Sequence, residues 1–589
     1  MAADLILKAL AIMTMDPAAA RVEAVAIDTT SGRIAAVGTL DACTKAAPTA
    51  TVRDLGDTVL MPGFIDPHSH PLLGGIVTQE PAHWISPHRG YPHFADVEAL
   101  WRKLDAELPP GQPVLFNGLD RLLQEAPELT NRQLDGYFPA RPALVLDNSG
   151  HEVYFNSAVI ALNGWADQKP PADPVGAHFG RNHDGTSNGR AYETAAIAAA
   201  SLKLLRAAVP HPLLSAARWY ALMARNGVTS TTEHTYDSSL LAGYVALAET
   251  PDCPLRLALY HMSIDPSCGE KLTSPIAKEL LWKQGIKLWA DGSPWVGTIA
   301  ASFPYLDNAT VRRAEIPLGP AGESMLNYPR SELDEILAKH APQGWQMAFH
   351  VNGDVGIDVV LDAYERALAA NRLTGTDHRW RLEHCGGGRG DQFARAARMG
   401  VAVSLLPAQF IYWGDLLDGT MFAPEIGSQW VRAGDAVRAG ASVSFHNDGC
   451  VSPPIPLLNV QAMVTRRTPS GHIHGANQAV TLHDAFRAHT CEAAFQIGRD
   501  HDLGSIEVGK AADFVELSAD PFTVDVNRLT DLVQVKGTWR GGHRIDLDRF
   551  LQHIQSLDPA THRGLVDKAA GRHVCSHGGH GCEHEPGAN

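Results

Sequence analysis

The 589-residue sequence predicts an α/β fold: a (β/α)8 TIM barrel, a small β-sandwich domain built from both chain ends, and an insertion after barrel strand 1. Three observations predict it. Strand-like apolar runs alternate with helical patterns through the middle of the chain, the signature of βα units. Short strands with turn signals occupy both ends. Metal-ligand residue types recur where the central runs stop, and the C-terminal strand ends of such a barrel are where its active site lies.

Taken in order, residues 1–60 read as short strands, with Asp4-Leu5-Ile6-Leu7 first and Arg33-Ile34-Ala35-Ala36-Val37-Gly38 following a Ser31-Gly32 turn. Residues 500–547 return to the same style, so 1–60 and 500–547 are assigned to one small domain. Barrel strands are expected at 59–65, 228–234, 256–262, 285–291, 346–351, 379–384, 401–406 and 442–447, within a barrel region of 61–499. That region exceeds the roughly 250 residues typical of the fold. The excess falls at about 75–220, where Val114-Leu115-Phe116 and Ala143-Leu144-Val145-Leu146 suggest strands of an inserted lobe. Residues 548–589 form a C-terminal extension whose tail, 566–589, holds Cys575, His577, His580, Cys582 and His584 among glycines. Such a tail either chelates metal or picks it up adventitiously.

Composition narrows the class. A net charge of −16 without a basic stripe argues against nucleic-acid and anionic-membrane partners. No start resembles a signal peptide, and no run of about 18 apolar residues could span a bilayer. The eight cysteines lack disulfide-like spacing, which suits a reducing, cytoplasmic setting. The expected partner is a small-molecule substrate; oligomeric state, homo-oligomers included, stays open.

The candidate chemistry begins at His68 and His70, which follow the apolar run of residues 57–61. Side chains two apart on a strand share a face, so these imidazoles can close on one ion. Lys287 shares a strand face with Trp289 and Asp291, while Ile286, Leu288 and Ala290 take the other. With the apolar face toward the helices, Lys287 points into the barrel, where a buried ammonium needs a partner such as Asp291 or conversion to a carbamate. His350 and His384 each end a strand at a turn, and Asp448 ends the last one. An acid there can ligate a metal and accept a proton from water, or cap the following turn.

The order His68-x-His70, Lys287, His350, His384, Asp448 resembles the amidohydrolase superfamily. The N-terminal strands, the Asp291-Gly292-Ser293 segment and the run from Gly504 to Asp513 are similar to its amidohydrolase 3, or YtcJ-like, branch, to which N-substituted formamide deformylases belong. The resemblance spans roughly residues 4–547. It implies a divalent metal, zinc by preference, with one or two ions per chain. His68, His70 and Asp448 would hold the more buried ion, His350 and His384 a second, and Lys287 as N6-carboxylysine would bridge. It further implies hydrolysis of a C–N, amide-type bond by a metal-bound hydroxide, with Asp448 as the catalytic proton acceptor. Alternatives are a mononuclear hydrolase of another carbonyl bond (carbamate, ester or cyclic amide) and a non-catalytic barrel scaffold.

Pro71, the Pro294-Trp295 pair and His446 in place of the branch's usual glycine depart from the pattern and suggest an altered pocket. Trp289, Asp291, Trp295, His151 and Tyr412 are the substrate-binding candidates. The aromatics among them, with Phe410 and Trp413 nearby, favour a hydrophobic or aromatic group on the substrate.

Overall fold

The computed structural model describes residues 3–174, 177–274 and 276–559. The His/Cys-rich tail at 566–589 lies outside the described residues.

Eight parallel strands make the barrel: β1 (Phe64–Asp66), β2 (Val228–Tyr236), β3 (Arg256–Met262), β4 (Leu281–Trp289), β5 (Gln346–Val351), β6 (Arg381–His384), β7 (Ala402–Leu405) and β8 (Val443–Phe445). Each pairs with its sequence neighbours in parallel register, for example Lys287 opposite Ala348 and His350 opposite Glu383. The seam between β8 and β1 is bridged just beyond the strands: Asp448 N–H donates to the His68 carbonyl at 3.2 Å, and His70 N–H to the Gly449 carbonyl at 3.0 Å. Asp66 adds to it by accepting the backbone and side-chain N–H groups of Asn447, each at 3.2 Å. The strand interiors are apolar on the helix-facing side, with Ile286, Leu288, Phe349 and Leu382 fully buried. Helices therefore cover the sheet, as the alternating pattern demands.

The run expected as a single strand over 59–65 is divided. Val59–Pro62 pairs antiparallel with Phe514–Leu517 and belongs to the sheet of the chain ends, whereas β1 opens the barrel. Gly63 is the joint: a Cβ there would lie 2.1 Å from the Thr229 hydroxyl, so only glycine lets the chain cross from one sheet to the other. The chain-end sheet has eight strands and combines Leu5–Met13, Arg21–Asp28, Arg33–Gly38, Thr51–Asp54 and Val59–Pro62 with Phe514–Leu517, Val535–Arg540 and His543–Arg544.

Between β1 and β2 lies a lobe with a six-stranded sheet that includes Val114–Leu119 and Ala143–Asp147. Polar links fasten it over the barrel mouth. Trp413 Nε1–H donates to Asp120 at 2.9 Å, and Arg121 and Arg190 both reach Glu315 at 2.8 Å. Pro71 begins the helix Pro71–Thr78 directly after His70, where proline's missing N–H and fixed φ suit the first helical turn. Gly75 of that helix approaches Ala216 of the helix Pro212–Arg225 so closely that a Cβ would sit 2.5 Å from Ala216 Cα. That packing fixes the helix, and hence the backbone that carries His70. No helix among the described residues is long and apolar enough to cross a membrane.

Candidate metal centre

The exits of β1, β2, β4, β6 and β8 converge on one buried cluster. His68, fully buried, has Nδ1 2.7 Å from the Glu383 carboxylate and Nε2 3.2 Å from Lys287 Nζ and 3.7 Å from Asp448 Oδ1. His70 is built the same way: Nδ1 lies 3.3 Å from Glu233 Oε1, and Nε2 lies 3.2 Å from Asp448 Oδ1. In both rings a carboxylate takes the Nδ1–H, which turns Nε2 toward Asp448. An imidazole held by a carboxylate on its far nitrogen is the arrangement that orients metal-ligating histidines.

Each glutamate is itself fixed. Glu383 pairs with the buried guanidinium of Arg381 at 2.7 Å, and Glu233 accepts from Tyr244 Oη at 2.8 Å and Thr235 Oγ1 at 2.6 Å. His234 adds a flat contact, its ring stacked on His68 with centroids 3.9 Å apart.

His384 joins from β6. Its Nδ1 is 3.1 Å from Nε2 of His446 and 3.9 Å from Asp448 Oδ2, and its Nε2 is buried with no hydrogen-bond partner. His384 and Asp448 both adopt positive φ, +70° and +50°. Non-glycine residues avoid that region, and surviving outliers cluster at functional sites.

His350 stands beside them, its ring 4.4 Å from that of His384, but its Nε2 lies 3.0 Å from the Gly292 carbonyl and so donates there. Among the described residues, His68, His70 and Asp448 form one group of donors within 4.8 Å of one another; His68, His384 and His446 form a second, and His68, His234 and Glu383 a third. His350 belongs to none of these.

Electrostatics follow from this burial. Burial, reinforced by neighbouring cationic groups, holds His68, His234 and His384 well below the usual imidazole range, so they are neutral and keep a lone pair. His70 goes the other way. Burial opposes its charge, but hydrogen bonds to Asp448 and Glu233 outweigh that and lift it to about 9. Asp448 is buried too, yet its bond to His70 and the nearby positive charge bring it down to about 2. Burial lowers Lys287 to about 8, against the pull of Glu383 and Asp448.

These residues fit a divalent ion. Neutral imidazoles with inward lone pairs, one ionised carboxylate and an orphaned buried nitrogen are the donor set that zinc-like metals take. His70 Nε2 and Asp448 Oδ1 face each other at 3.2 Å, where one cation could serve both.

The expected substrate contacts divide. Lys287 Nζ lies 5.4 Å from the centroid of the Trp289 ring. Trp295 stacks on Trp413 at 4.2 Å, and Tyr412 lies 4.6 Å from the ring of His88. His151 comes from the lobe, bonded to Glu193 at 3.0 Å, and its ring is 6.3 Å from that of His350. Asp291 is committed elsewhere. Its carboxylate accepts the N–H groups of Asn352 (2.8 Å), Gly353 (2.7 Å) and Ala300 (3.1 Å), clamping the exits of β4 and β5 together in place of a substrate contact or a Lys287 ion pair.

Glu233, His234 and Glu383 were not singled out in the sequence. The signal available was a carboxylate inside an expected barrel strand, Glu233 in Thr232-Glu233-His234 and Glu383 in Arg381-Leu382-Glu383, where burial demands a partner.

A metal-dependent hydrolase is the class that this barrel and donor set define, and comparison with known proteins agrees. Residues 51–546 match the Amidohydrolase family, and the chain belongs to that family of hydrolases acting on C–N bonds. The chain is 25% identical over 538 residues to N-substituted formamide deformylase of Arthrobacter pascens, covering 88% of this chain and 94% of that protein. It is 25% identical over 509 residues to the putative amidohydrolase YtcJ of Bacillus subtilis, covering 82% and 88%. Among solved structures, an uncharacterized metal-dependent hydrolase from Pyrococcus horikoshii superposes with a TM-score of 0.68 at 22% identity, covering 89% of this chain and 99% of that one.

Proposed function

We propose that the chain hydrolyses an amide-type C–N bond of a small substrate, with His68, His70 and Asp448 as ligands of one divalent ion, zinc by preference. The observation that carries this reading is the matched pair of glutamate-anchored imidazoles converging on Asp448. The ion, when bound, lowers the pKa of water and polarises the scissile carbonyl. The protein's share is proton handling and shape. Asp448, ionised at neutral pH, takes the proton of the attacking water and returns it to the leaving nitrogen. His68 and His70 are held rigid by Glu383 and Glu233, so the reacting groups meet without reorganisation. The lobe roofs the mouth and brings His151 to it. Trp289, Trp295, backed by its stack on Trp413, and Tyr412 are the aromatic candidates for an apolar pocket suited to a hydrophobic or aromatic substituent. The likeness to N-substituted formamide deformylase makes N-formyl amines the first substrates to try.

Lys287 supports two forms of the centre. As a carbamate it would offer oxygens to a second ion, with His350 and His384 as further ligands. A mononuclear form is favoured by one observation: His68 has a single inward nitrogen, yet it belongs to both the His70–Asp448 group and the His384–His446 group. The six described cysteines are free, in keeping with work in the reducing cytoplasm.

The test is metal analysis of the purified chain beside turnover of a panel of N-formyl and N-acyl amines, esters and carbamates. A chain that binds no divalent ion, and gains no activity with zinc, manganese or cobalt, would falsify this reading.

A further inference from the structure

His446 lies at the exit of β8, two residues before Asp448, and both nitrogens of its ring have close partners. His446 Nδ1 lies 2.9 Å from the Ser404 hydroxyl oxygen, so that edge of the ring is engaged. Ser444 adds a second contact to Ser404 at 3.0 Å, which packs the hydroxyl in place. With Nδ1 so engaged, Nε2 of His446 turns inward and lies 3.1 Å from Nδ1 of His384.

His68 is arranged likewise, with Nδ1 held by Glu383 and Nε2 turned inward. His446 also stacks against His68, with centroids 4.7 Å apart and planes 22° apart. The donor atoms of His68, His384 and His446 all lie within 4.8 Å of one another. Two nitrogens on one tetrahedral zinc stand about 3.4 Å apart, close to the spacing already present between His446 and His384.

We propose that His446 is a metal ligand, its Nε2 forming with His68 and His384 a three-imidazole face of the centre beside the His70–Asp448 pair. The inference rests on the metal-centre reading above and deepens it. Its chemical consequence is selectivity. Adding a neutral nitrogen donor favours zinc, cobalt and nickel over magnesium and calcium, which take oxygen ligands.

The test uses the full-length chain with Co2+ as probe, reading affinity by chelator competition and the number of imidazoles on the ion by X-ray absorption. In His446→Gly, Co2+ affinity should fall by more than the roughly 10–100-fold typical of losing a ligand's hydrogen-bond partner, one imidazole should disappear from the shell, and free imidazole should restore both. In Ser404→Ala the imidazole count should stay and affinity should fall by about 10–100-fold. Wild-type affinity and imidazole count in His446→Gly overturn the proposal. If circular dichroism shows His446→Gly unfolded, unchanged affinity in folded Ser404→Ala overturns it instead. His68→Ala separates this inference from its foundation. Full metal affinity there sinks the centre itself, whereas loss there with none in His446→Gly sinks only the role of His446.

Discussion

Glu383 holds Nδ1 of His68 at 2.7 Å and is followed in the chain by His384, so one strand end positions imidazoles from both donor groups. Among the described residues its carboxylate is also the only acid paired with the fully buried Arg381. Glu383→Gln should therefore do two things. Metal affinity should fall by about 10–100-fold, the usual cost of removing the acceptor behind a ligating histidine. Stability should fall as well, by about 3–5 kcal/mol if the Arg381 charge is left uncompensated. Chelator competition and thermal melting read the two effects separately. Wild-type affinity in the variant would mean that His68 needs no anchor to bind.

His68 and His70 should differ when truncated. His68 is fully buried and stacked on His234, while the His70 side chain is 15% exposed at a helix start. Both alanine variants should lose activity and bound metal. His68→Ala should also melt lower, because it empties a packed site between His234 and His446, and cavities in close-packed interiors are costly. Calorimetry on His70→Ala should give a melting temperature nearer wild type. Equal melting losses would show that the His70–Asp448 contact matters as much to folding as to chemistry.

Lys287 makes a pH-dependent prediction. Only a neutral amine reacts with carbon dioxide, and burial has brought this one down from 10.5 to about 8. The reactive fraction therefore rises as pH climbs through that value. If the carbamate forms, reactivation of chelator-treated enzyme by metal should speed up with added bicarbonate, and, compared at equal dissolved carbon dioxide, more at pH 9 than at pH 7 (about one unit either side of the Lys287 value). Lys287→Ala should show no bicarbonate effect. A reactivation rate indifferent to bicarbonate at both pH values would leave the mononuclear form.

Much of the barrel was legible in the sequence because its strands are buried on both faces and read as short apolar runs: β3 begins and ends at residues 256 and 262 as expected, and β5 at 346 and 351. The break at Gly63 was not legible, since the close approach of Thr229 comes from a strand more than 160 residues away. The lobe strands His178–Arg181 and Ser187–Tyr192 also escaped, being polar and interrupted by Gly180 and Gly189. At the site, residue order pointed to histidines at strand ends. The glutamates that aim them were hidden, because a carboxylate in a buried strand becomes intelligible only once its partner from another strand is known. The same holds for Asp291, whose place on the Lys287 strand face suggests a substrate contact until its backbone donors are known. Its three backbone donors lie on the loop after β4 and at the exit of β5.

Asp448→Asn should separate catalysis from assembly. The amide keeps the size of the side chain and one oxygen for a ligand role but cannot accept a proton. It also ends the charge pairing with His70, which now stabilises the imidazolium. With His70 no longer raised by Asp448, its neutral form becomes easier to reach, so metal binding should weaken little. Turnover should suffer far more, by about 10²–10⁴-fold for loss of a positioned proton acceptor. The comparison to make is kcat against bound metal in the same preparation. Should the variant keep more than about a tenth of wild-type kcat, a smaller loss than that range, the proton goes elsewhere. A double variant with Glu233→Gln would then ask whether the carboxylate behind His70 has taken over.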